Sequence, residues 1–94
     1  MDTHTVESFT RSVVRREAEK RGVTIEWDAV MPDSVPPELA FAVFKVADRG
    51  WCVWATRSAD PVVLPSERDF YPLDDVLPRG GWQRVGWNGV RVTS

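Results

Sequence analysis

The sequence predicts a single α+β domain over residues 1–94, with an N-terminal amphipathic helix packed on a mainly antiparallel sheet of about five or six strands and an Asn-Gly β-hairpin at the end. Three observations predict it. Residues 5–21 carry apolar side chains at helical spacing and run into a glycine. Residues 38–56, ELAFAVFKVADRGWCVWAT, are the densest run of large apolar residues in the chain, split by Asp48-Arg49-Gly50. Residues 82–93, WQRVGWNGVRVT, place Asn88-Gly89 between two alternating runs, the strongest short-range hairpin signature.

In chain order, Thr5–Arg21 reads as a helix whose stripe is Val6, Phe9, Val13 and Val14, with Thr3 and Thr5 as candidate caps and Gly22 as the C-terminal stop. Arg16, Lys20 and Arg21 stand near the end of the helix, where its dipole favours cations. Its outer side holds Arg11 and Arg15, with Glu7–Arg11, Arg15–Glu19 and Glu17–Arg21 spaced for i,i+4 pairing. Val23–Val30 alternates, with Val23, Ile25, Trp27 and Ala29 inward, as a half-buried strand does. The three prolines of Met31–Pro37 make that segment a loop.

Residues 38–57 admit two readings. A helix would open at Pro36-Pro37-Glu38 and close at Gly50; a hairpin would pair Leu39–Ala47 with Trp51–Arg57 across an Asp48-Arg49-Gly50 loop. The hairpin is preferred, because Val and Phe dominate the run and a turn falls midway. With Ala47 opposite Trp51, one face holds Ala42, Phe44, Val46, Cys52 and Trp54, and the other holds Phe41, Val43, Lys45, Trp51 and Val53. Neither face is polar, so both need cover or one is left for a partner.

Ser58-Ala59-Asp60-Pro61 reads as a turn, Val62–Leu64 as a short strand stopped by Pro65, and Ser66–Phe70 as loop. Pro72–Leu77 fits one or two helical turns, and Arg79-Gly80-Gly81 fits a flexible joint. In the terminal hairpin, Trp87 is expected opposite Val90 and Val85 opposite Val92. Trp82, Arg84, Arg91 and Thr93 then take the other side.

Composition bounds the function. The chain is 43% hydrophobic and 28% charged, the balance of an ordinary globular protein. One cysteine supplies neither a disulfide framework nor a zinc set, which suits a reducing cytoplasm, and no apolar run is long enough to span a membrane. Ten arginines against two lysines resemble the usage of a GC-rich bacterial or phage genome. Net charge is uneven: +1 over residues 1–22, −6 over 23–75 and +3 over 76–94. That argues against a uniformly basic nucleic-acid binder.

No catalytic, cofactor-binding or metal-binding site is expected. Cys52 falls mid-strand and reads as a buried thiol rather than as half of a Cys–His pair with His4. Glu67, Asp69, Asp74 and Asp75 lack the glycine and terminal glutamate of a calcium loop, and Ser34, Ser58 and Ser66 lack a nucleophile elbow. The expectation is a non-enzymatic protein-binding module, because one helix covers one face of a sheet and aromatics remain on the other. Phe41, Lys45, Trp51 and Trp82 are the candidate contacts, with a protein partner or a second copy of the chain as the occupant; the sharper form is a phage- or mobile-element-encoded modulator of a bacterial host protein. The alternative is nucleic-acid binding through Arg11, Arg15, Arg16, Arg84 and Arg91, with Trp82 as a stacking platform.

Overall fold

The computed structural model describes residues 3–86 and 89–93, apart from the side chains of Thr3, His4 and Arg79. The protein is α+β, with one long helix and antiparallel strands in two small sheets.

Helix α1 (Thr3–Arg21) buries Val6, Thr10, Val14 and Ala18 in four-residue steps, together with Glu17, while Phe9 is 48% exposed. The buried stripe is thus rotated from the one that apolar spacing marks. Thr10 tolerates burial because its hydroxyl donates to the Val6 carbonyl at 2.9 Å. Gly22 ends the helix at φ +68°, with the Val23 and Gly22 amides donating to the Ala18 and Glu19 carbonyls in a Schellman cap.

Residues 23–29 keep the alternating burial of a strand, yet only Ile25 forms a bridge, to Val46. The Glu26 amide donates to the Lys45 carbonyl at 2.8 Å, and the Ala47 amide to that of Thr24 at 2.9 Å. A turn at Trp27-Asp28 then carries the chain away. Ala40–Ala42 is a single 3-10 turn, and strand follows at once, so the hairpin reading holds from Val43 onward and the helix to Gly50 does not form.

Strands β1 (Val43–Val46), β2 (Gly50–Ala55) and β3 (Asp69–Pro72) form an antiparallel sheet in the order β1-β2-β3. Trp51 pairs with Lys45, two residues away from the expected Ala47. The turn is Ala47-Asp48-Arg49, and Gly50, at φ +79°, enters the ladder opposite Val46. A two-residue shift preserves the faces, so the expected division survives for the strand residues, whereas Ala42, in the 3-10 turn, packs with Val43 and Val53 instead of with Phe44 and Trp54.

The expected strand at Val62–Leu64 is absent. The amides of Ser58, Asp60 and Val62 instead donate to the side-chain oxygens of Thr56, Ser58 and Asp60, local bonds that compete with a ladder. A strand lies instead at Asp69–Pro72, overlapping the end of the loop expected at Ser66–Phe70 and taking up Pro72, the expected helix start, at its end on a sheet edge.

The short helix α2 (Leu73–Val76) follows directly and passes into a 3-10 turn, Leu77–Arg79. Gly80 takes φ +56°, and the Gly80 and Gly81 amides donate to the Leu77 and Val76 carbonyls. The expected joint is therefore an ordered cap. Strands β4 (Trp82–Arg84) and β5 (Val90–Val92) form a separate two-stranded sheet in the register Trp82–Val92, Gln83–Arg91 and Arg84–Val90. Val92 thus pairs with Trp82 instead of Val85. The expected turn at Asn88 and the placement of Trp87 lie outside the described residues. β5 also touches the end of β2, through a parallel bridge from Arg91 to Thr56.

The sheet is covered on both sides by its own chain. Phe44, Val46, Cys52, Trp54 and Phe70 pack with Val14, Ala18 and Ile25 beneath α1. Val43, Val53 and Ala55 on the other face pack with Leu39, Phe41, Leu73, Val76, Val90 and Val92. The segment 35–42, α2 and β5 thereby supply the second layer that sequence reasoning did not find. Among the described residues, no helix is long and apolar enough to cross a membrane.

Candidate functional site

Where residues 27–31 peel away from β1, a cleft opens along Val43, Phe44 and Lys45. Its walls come from four parts of the chain: Trp27 and Ala29, Met31 with Ala40 and Phe41, Trp51 of β2, and Glu7 and Arg11 of α1. The enclosed volume is about 40 Å³, room for a few waters or one intruding side chain. A wider depression of about 530 Å³, lined by Ile25, Glu26, Trp27, Asp28, Ala29 and Lys45, shares its rim.

Local packing fixes the rim. Trp27 stands edge-on to Phe44 at 5.7 Å between centroids, and the Arg15 guanidinium lies over its ring at 4.5 Å. Lys45 reaches Glu26 at 3.8 Å and Arg11 reaches Glu7 at 3.2 Å, both as exposed pairs. Such pairs are worth at most ~1 kcal/mol, so their charges stay available to an incoming surface.

Of the residues expected to contact a partner, Phe41, Lys45 and Trp51 meet in this cleft, whereas Trp82 packs against the core layer behind it. Phe41 is only 6% exposed and lies beneath the Arg84 guanidinium, 4.7 Å away, so it forms floor instead of surface. Trp27, Met31 and Arg11 were missed as members of the site. Trp27 was legible only as an inward strand residue, and no sequence signal brings α1 to the far edge of β1.

No protein-family model, curated protein or solved structure matches this chain.

The five arginines considered for nucleic acid fall into separate groups. Arg11, Arg15 and Arg16 are exposed on α1, while Arg84 and Arg91 point to opposite faces of the β4–β5 pair. Arg91 donates to Gln83 and to the Ala59 carbonyl. Cys52 is wholly buried, and burial raises its thiol pKa; Arg49 pulls it down and Asp69 adds to the rise. Asp69 faces Arg21 at 3.4 Å and Arg49 at 3.9 Å. Among the described residues, no three His, Cys, Asp or Glu side chains are placed to hold a metal ion.

Proposed function

We propose that the chain is a small non-enzymatic protein-interaction module that receives a protein partner at the cleft between β1 and residues 27–31. The observation that carries this reading is the half-buried pair Trp27 and Trp51, with Met31 beside them and Arg11 and Lys45 at the edge. Tryptophan, methionine and arginine are the residues that interfaces enrich, and a partly filled pocket with a charged rim is where hot spots sit. A partner side chain inserted there would displace a few poorly held waters and meet charges of both signs.

A cytoplasmic setting belongs to the proposal, since one cysteine provides no disulfide framework. Its finer form, a phage- or mobile-element-encoded modulator of a bacterial host protein, rests on arginine-rich usage alone.

The test compares wild type with Trp51→Ala in solution mass by light scattering and in capture of a bacterial protein. The variant should weaken association about 30-fold, ~2 kcal/mol, while its urea midpoint moves by no more than about 1–2 kcal/mol. Unchanged capture by Trp51→Ala would remove the cleft from consideration. A dimer split by the same substitution would make the partner a second copy of the chain. Duplex DNA bound with a steep salt dependence, and lost when Arg11, Arg15 and Arg16 become Gln, would replace the reading with nucleic-acid binding.

A further inference from the structure

A second cavity, of about 160 Å³, lies between α1 and the segment that follows β2. Phe9, Val13, Val63 and Pro65 give it apolar walls, and Thr10, Trp54 and Arg68 its polar groups. Two donors of these residues, Trp54 Nε1–H and Arg68 Nε–H, are buried without a hydrogen-bond partner among the described residues. Trp54 is 1% exposed, so its indole N–H is shielded from bulk solvent.

Unmet buried donors are rare, and two among the side chains lining one cavity call for an acceptor. Thr10 does not supply a competing donor, since its proton is committed to the Val6 carbonyl. No carboxylate lines the cavity, although Arg68 brings a positive charge to it. Burial draws that guanidinium's pKa below its ordinary value. The nearest acidic neighbour in sequence with a described ion pair, Asp69, is turned to Arg21 and Arg49. Gly89 keeps room for the guanidinium: a Cβ there would stand 3.2 Å from Arg68 Nη2.

We propose that this cavity binds a small organic monoanion, a carboxylate carried on a short apolar or aromatic body. The carboxylate accepts from Trp54 and Arg68, and the body fills the space between Phe9, Val13, Val63 and Pro65. An apolar cavity of about 150 Å³ accommodates a benzene ring, so the volume suits a benzoate-sized ligand entering past the half-exposed Phe9. The site is separate from the cleft at β1 and does not depend on the function proposed for it.

The probes are benzoate, its neutral counterpart benzyl alcohol, and inorganic phosphate, titrated into the full chain. The readouts are the thermal midpoint and the indole N–H resonances. Benzoate should raise the midpoint and shift the Trp54 N–H, and benzyl alcohol should bind about tenfold more weakly or worse. Arg68→Met should remove most of that preference, and Trp54→Phe, which keeps the ring and loses the donor, should reduce benzoate affinity by a similar factor. Equal binding of benzoate and benzyl alcohol by wild type would reduce the cavity to an apolar void. Displacement of benzoate by phosphate at equal concentration would overturn the need for an organic body. An unshifted Trp54 N–H at saturating benzoate would mean that water alone satisfies these donors. The wild-type titrations decide the matter even if a variant fails to fold.

Discussion

Cys52 is the most completely enclosed titratable residue described, and its environment makes a pH-dependent contribution to stability. Burial lifts the thiol above its ordinary value of 9.0 in the folded chain, so above that pH the unfolded chain holds fewer protons than the folded one. The contribution is complete below pH 9 and is lost as pH rises through the folded pKa, at up to ~1.4 kcal/mol per pH unit. Urea midpoints measured between pH 8 and 10.5 should fall more steeply for wild type than for Cys52→Ala; parallel curves would mean that the thiol is not desolvated. Thr10 and Glu17 show how a single residue defeats a pattern. Both lie on the buried side of α1, because Thr10 bonds to the helix backbone and Glu17 meets Lys20 at 3.5 Å and Arg21 at 4.0 Å. Apolar spacing assigns that side to Phe9 and Val13. It cannot see polar groups satisfied within their own helix.

Elements were legible where local chemistry decides them. Helix α1, its stop at Gly22, the turn of α2 after Pro72 and the central hairpin all follow from periodicity, glycine and proline. Elements fixed by distant contacts were not. Asp69–Pro72 becomes a strand only because β2 offers a free edge, and Val62–Leu64 fails to become one because Thr56, Ser58 and Asp60 hold its approach in side-chain turns. In the terminal hairpin β4 and β5 pair from Arg84 and Val90 outward, and the Val85 amide donates to the Gly89 carbonyl at 3.2 Å, while the expected turn at Asn88 lies outside the described residues. Gly89 in that connection is crowded: a Cβ would approach Arg68 Nη2 and Val85 Cγ2 to 3.2 Å each. Gly89→Val should therefore cost about 1–3 kcal/mol by overpacking, read as a lowered urea midpoint. Coincident midpoints for variant and wild type would mean that the connection relaxes freely, and that crowding does not set its conformation.

At the scale of the molecule, the sequence showed that the central hairpin is apolar on both sides but not what covers the second side. The covering layer is assembled from Leu39, Phe41, Leu73, Val76, Val90 and Val92, residues up to about fifty positions apart whose meeting no local pattern records. The cleft at β1 was illegible for the same reason, since it exists only where α1, residues 27–31 and β2 come together. One sheet separating two cores also constrains how the chain unfolds. Trp54, 1% exposed, anchors the core under α1, and Leu39, fully buried, anchors the opposite one. Trp54→Ala should cost about 3–5 kcal/mol and Leu39→Ala about 2–5 kcal/mol, large against the ~5–15 kcal/mol of a whole domain. Strands β1 and β2 contribute side chains to both cores, so neither layer can be lost while the other keeps its floor. Each variant is expected to melt in one transition, with helix content by far-UV circular dichroism and aromatic packing by near-UV signal falling together. If Leu39→Ala lowered the near-UV midpoint while the helix signal of α1 held its wild-type midpoint, the two cores would be independent units, and the sheet would not couple them.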